Sequence, residues 1–93
     1  MKISEITSFL ESVASPSLQE SYDNAGLITG NSSWHCTGII TTLDATEAVV
    51  QEAINKKCNL IVAHHPIIFG GLRKITGKNY VEQTIITAIK NDI

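Results

Sequence analysis

The segment Leu60-Ile61-Val62-Ala63-His64-His65-Pro66 runs four apolar residues into two adjacent histidines. Imidazole is the commonest protein ligand for first-row transition metals. A metal site built on His64 and His65 is therefore the chemistry this stretch offers. Neighbouring side chains on an ideal strand point to opposite faces, and they converge only where the chain leaves the strand, as Pro66 favours. Diverging neighbours suit two ions better than one; two-metal sites hold their ions about 3.5–4 Å apart around an activated water. Two histidines cannot fill even one catalytic zinc shell, which takes about three protein ligands, so carboxylates must come from elsewhere. The alternative is a pair of polar strand-end histidines, one bonded to backbone and the other solvated.

Two other segments lie within reach of such a site. Tyr22-Asp23-Asn24-Ala25-Gly26-Leu27 reads first as a structured Asx turn; Asp23 and Asn24 would reach metal or substrate if the loop folds over the strand ends. Asp44 also closes a strand, but Asp44-x-x-Glu47 has the spacing of a capping box, and a helix cap is the favoured reading. Gly71 to Asn79 invites a phosphate-loop reading and fails it: five residues rather than four separate Gly71 from Gly77, and Asn79 follows Lys78 where Ser or Thr is needed. His35-Cys36 has no second ligand pair at zinc-finger spacing and reads as surface.

The elements that position these residues follow from periodicity. Ile3, Ile6, Phe9, Leu10 and Val13 fall on one helical stripe, ended by Ser15-Pro16-Ser17. Gly26 to Gly30 is a short strand candidate, and residues 31–37 read as a loop. Gly38 to Leu43 is β-branched and apolar, a strand. Val49, Val50, Ala53 and Ile54 give the next helix its apolar side through about Lys56, where Lys56 and Lys57 suit the negative end of the helix dipole. The histidine strand follows directly. Residues 39–63 thus form a strand, a helix and a strand joined by a crossover, which requires parallel strands and a right-handed connection. After an apolar loop start (Ile67, Ile68, Phe69), Asn79-x-x-Glu82 opens a last helix with Val81, Ile85, Ala88 and Ile89 inward.

The 93 residues make a single α/β domain, a partly parallel sheet with flanking helices. Two or three strands leave a sheet edge open, to be covered by a partner or by further sequence, so the chain reads as either an obligate oligomer or a piece of something longer. Seven Lys and Arg against nine Asp and Glu, for a net charge of −2, give no surface for tracking nucleic-acid phosphates. No stretch reaches the ~18 apolar residues of a membrane span, and Glu11 interrupts what would be a signal-peptide core; a cytoplasmic protein is expected. Cys36 and Cys58 form no CxxC pair and read as free, half-buried thiols.

Three segments then carry a family likeness: Ser21 to Leu27 (SYDNAGL), Thr42 to Val49 (TLDATEAV) and Asn59 to Leu72 (NLIVAHHPIIFGGL). Together they resemble the N-terminal part of the dinuclear metal centre family, whose members are labelled GTP cyclohydrolase 1 type 2 homologues or Nif-interacting-factor-like proteins. The resemblance implies an α/β fold and a toroidal hexamer. It implies two divalent metal ions per subunit facing the central cavity, with zinc, iron or manganese as candidates, and assigns His64 and His65 as ligands. The remaining ligands it implies are an aspartate beyond the next strand and a histidine and a glutamate near the C-terminus of a longer chain. These 93 residues hold none of them, so activity from this segment alone is expected to be slight. Tyr22 stands where the family usually has tryptophan.

Two functions fit. One is a metal-dependent hydrolase acting on a nucleotide or phosphoester, with His64 and His65 as ligands rather than acid or base. The other is a non-catalytic metal-containing assembly or regulatory protein, with Ile67, Ile68 and Phe69 making subunit or partner contacts.

Overall fold

A computed structural model describes residues 1–13, 26–67 and 74–93. The order of elements is α1 (Ile3–Val13), β1 (Ile39–Asp44), α2 (Glu47–Asn55), β2 (Leu60–His65) and α3 (Tyr80–Lys90). The strands pair in parallel, with Ile39 opposite Leu60 and Asp44 opposite His65. This is the α/β unit that the crossover length requires. The helices α2 and α3 close over the sheet around Val50, Ala53, Ala88 and Ile93, with Ile40, Ile54, Cys58 and Ile61 packed against them. Both thiols are free and half-buried, as read. Among the described residues no helix is long and apolar enough to cross a membrane.

Two cappings set the helix starts. At α3, the Asn79 side chain accepts from the Glu82 N–H at 2.9 Å, as the Asn-x-x-Glu spacing predicts. At α2 the expectation fails: the cap is Thr46, which accepts from the Val49 N–H at 3.2 Å. Asp44 remains the last residue of β1. Thr46 stands directly before the helix with extended backbone, whereas Asp44 is held by the ladder across from His65.

Three further expectations change. Gly26 to Gly30 is not a strand; both glycines take left-handed φ (111° and 101°), which breaks an extended run at each end. In α3, Ile85 and Ala88 are buried together with Thr84, whose Oγ donates to the Tyr80 carbonyl. Ile89 falls beside that stripe and is exposed. In α1 only Ile3 is buried, while Phe9 and Val13 are 65% and 71% exposed. The helix forms where the periodicity places it, but no other described element covers its apolar stripe.

The N-terminal segment is tied through backbone to the loop that precedes β1. Ile3 and Ser4 N–H groups donate to the carbonyls of Trp34 and Ser32, satisfying donors that a helix start leaves unpaired. Lys2 bridges His35, and the Cys36 N–H donates to the Met1 carbonyl.

Candidate metal centre

Both histidines lie at the carboxyl end of β2, and both are exposed. Open α/β sheets place ligand sites just outside this end of their strands. Although ideal neighbours diverge, the two rings approach to 4.8 Å between centroids, at 63° to one another. The strand ends here and Pro66 follows, so both imidazoles reach past the rim instead of packing on opposite faces.

Register explains the partner of His65. Cross-strand partners in a parallel pair share a face, and Asp44 is the partner of His65. Its Oδ1 lies 2.9 Å from His65 Nδ1. An ionised carboxylate only accepts, so the ring donates from Nδ1. The two side chains are 52% and 67% exposed, and such a surface pair adds roughly 0–1 kcal/mol to stability. The strand-end alternative expected one ring on backbone; a carboxylate takes that place. Asp44 thus sits beside the histidines rather than on a helix. The signal was present in the sequence: two six-residue strands aligned from Ile39 and Leu60 put Asp44 against His65.

Two cavities flank the doublet. One, of about 200 Å³, runs from His64 and His65 between α1, β2 and α3 and is walled by Ile3, Trp34, Leu60, Ile85 and Ile93. The other, about 240 Å³, is a shallow notch where Asp44, Thr46, His65, Pro66 and Tyr80 meet. The first is apolar; the second presents the carboxylate–imidazole pair.

The donor set fits part of a divalent centre. Exposed imidazole nitrogens are suitable ligands for zinc or iron, and His64 and His65 would hold the ion. Among the described residues, no group of three or more His, Cys, Asp or Glu side chains comes together as a complete shell. Asp23 and Asn24 lie outside the described residues. His35 belongs elsewhere: its Nδ1 is 3.3 Å from the Met1 amine, in agreement with a surface reading.

One residue not singled out in the sequence organises the base of β2. The Asn59 amide accepts from the Thr37 N–H at 2.8 Å and donates to the His35 carbonyl at 2.9 Å. Nothing in its local spacing announces a bond to residues more than twenty positions earlier.

The profile of the Duf34/NIF3 (NGG1p interacting factor 3) family matches residues 1–93. The chain is 40% identical over 93 residues to a GTP cyclohydrolase 1 type 2 homolog of Clostridium acetobutylicum, covering all of this chain and 35% of that one. It is 46% identical over 80 residues to the protein of the same description from Staphylococcus epidermidis, covering 86% of this chain and 22% of that one. Its fold superposes on the crystal structure of Staphylococcus aureus protein SA1388 with a TM-score of 0.94 at 40% identity, over 100% of this chain and 26% of that one. The chain therefore spans about a third or less of the length of these relatives. With its whole length matched and its α/β unit shared, the chain belongs to the Duf34/NIF3 family.

Proposed function

We propose that His64 and His65 are ligands in a divalent-metal centre completed by a longer chain, and that the centre serves a hydrolase acting on a nucleotide or phosphoester. The observation that carries this reading is the approach of two exposed imidazoles to 4.8 Å at the carboxyl end of β2. When bound, divalent ions lower the pKa of a coordinated water and polarise a substrate oxygen. The chain's own residues bind and orient. Neutral imidazoles bring no charge to offset a cation, so the aspartate, histidine and glutamate that the family likeness implies further along would complete the shell. Zinc, iron and manganese are the candidate metals, since imidazole suits the first two and added carboxylates the third.

The same likeness supports two ions per subunit in a toroidal hexamer, with a small-molecule substrate reaching the centre from the hexamer's central cavity. Turnover of a panel of nucleotides and phosphoesters by metal-loaded full-length protein tests the reading. Activity is expected, and the His64→Ala, His65→Ala double variant is expected to abolish it. A second reading, a metal-containing assembly or regulatory protein, expected its contacts at Ile67, Ile68 and Phe69; Ile67 is half-buried and the other two lie outside the described residues, and the reading draws instead on the exposed Phe9, Leu10 and Val13 of α1. It gains if the loaded protein turns over nothing.

A further inference from the structure

We propose that Asp44 is a positioning residue for the metal centre: its carboxylate fixes the ring of His65 so that the ligating atom is Nε2. The inference rests on the metal reading above and adds a residue to it. Asp44 Oδ1 and His65 Nδ1 are 2.9 Å apart, across a register that puts both side chains on one face at the end of their strands. The carboxylate has no hydrogen to give, so Nδ1 carries the proton and a neutral ring keeps its lone pair on Nε2. Metal-ligating histidines commonly donate their other N–H to a carboxylate, which sets tautomer and orientation and raises the basicity of the ligating nitrogen. Asp44 is itself well exposed, so a role in holding the fold together does not account for the contact.

The arrangement makes the two histidines unequal. His65 is anchored from behind, whereas among the described residues no hydrogen bond holds the His64 ring. The notch where Asp44 and His65 meet also contains Thr46 and Tyr80. Among the described residues the hydrogen-bond partner of His65 Nδ1 is the Asp44 carboxylate, while the Thr46 hydroxyl accepts from the Val49 N–H.

The test uses full-length protein as wild type, Asp44→Ala and Asp44→Asn. Zinc and manganese affinities are measured by competition with a chromophoric chelator. The His65 tautomer is read from imidazole 15N shifts in metal-free and zinc-loaded samples, with His65→Gln assigning the signal. Wild-type His65 is expected to carry its proton on Nδ1 in both states. Asp44→Ala should lose about 10–100-fold in metal affinity and the tautomer preference, with a melting temperature within a few degrees of wild type. Asp44→Asn, which retains an acceptor but no charge, should fall between. Wild-type affinity and tautomer in Asp44→Ala overturn the proposal and leave the metal reading standing. Zinc on Nδ1 of wild-type His65 also overturns it, because the carboxylate would then be displaced or itself a ligand. A full-length wild type that takes up neither metal overturns the metal reading and this inference together.

Discussion

Asn59 shows how much a single side chain can fix at this site's base. Its amide makes one accepted and one donated bond to the segment that leads into β1, and the Thr37 hydroxyl adds a bond to the Lys57 carbonyl next to it. Together they hold the start of β2 against the loop that carries Trp34 and Cys36. Removing the amide leaves the Thr37 N–H and the His35 carbonyl to find water. At about 1 kcal/mol per net hydrogen bond, Asn59→Ala should destabilise the fold by roughly 1–2 kcal/mol in urea denaturation. A change under a few tenths would show the clamp to be idle. The histidine doublet was legible in the sequence because it is local: an apolar run, two imidazoles, a proline. The Asn59 clamp was not, because its partners are set by packing across the sheet. Asp44 was misassigned for a related reason. Its spacing to Glu47 suits a cap, but Thr46 lies next to the helix and takes that role, while the ladder claims Asp44 for His65.

Among the elements, α3 gives the clearest electrostatic consequence. The predicted Asn79–Glu82 start forms, but the Glu82 side chain does not return to the cap. It accepts instead from the Thr76 N–H at 2.8 Å and the Thr76 hydroxyl at 3.2 Å, and the residue is buried. The Thr76 N–H does most to hold this carboxyl below its ordinary value of 4.5, against an opposing push from burial. A depressed folded value means that the ionised form stabilises the fold. That contribution is complete above about 4.5 and is lost as pH falls through the lower folded value. The stability difference between wild type and Glu82→Gln should therefore stay constant from pH 7 to about 5 and shrink in more acid solution. A difference that grows on acidification would contradict the assignment. The strand-helix-strand unit was readable from β-branched runs and 3.6-residue periodicity. The Leu27-Ile28-Thr29 segment was misread because composition cannot reveal the left-handed glycines on either side.

At the scale of the whole molecule, the exposed apolar surface is the feature that these 93 residues leave unmatched. Phe9, Leu10 and Val13 line α1, and Ile39 and Leu43 stand exposed on β1. Periodicity located the α1 stripe correctly; which surface covers it is a property of packing beyond the described elements. The relatives are longer than this chain, and further chain or the proposed hexamer would supply such cover. Whether His64 and His65 hold a cation is decided by metal analysis of purified full-length protein, with X-ray absorption at the bound metal's edge. Stoichiometric divalent metal is expected, with imidazole nitrogen at about 2.0–2.1 Å if the ion is zinc, and loss of that metal in the His64→Ala, His65→Ala variant. Metal content equal in wild type and the double variant, or a shell without imidazole, would contradict it.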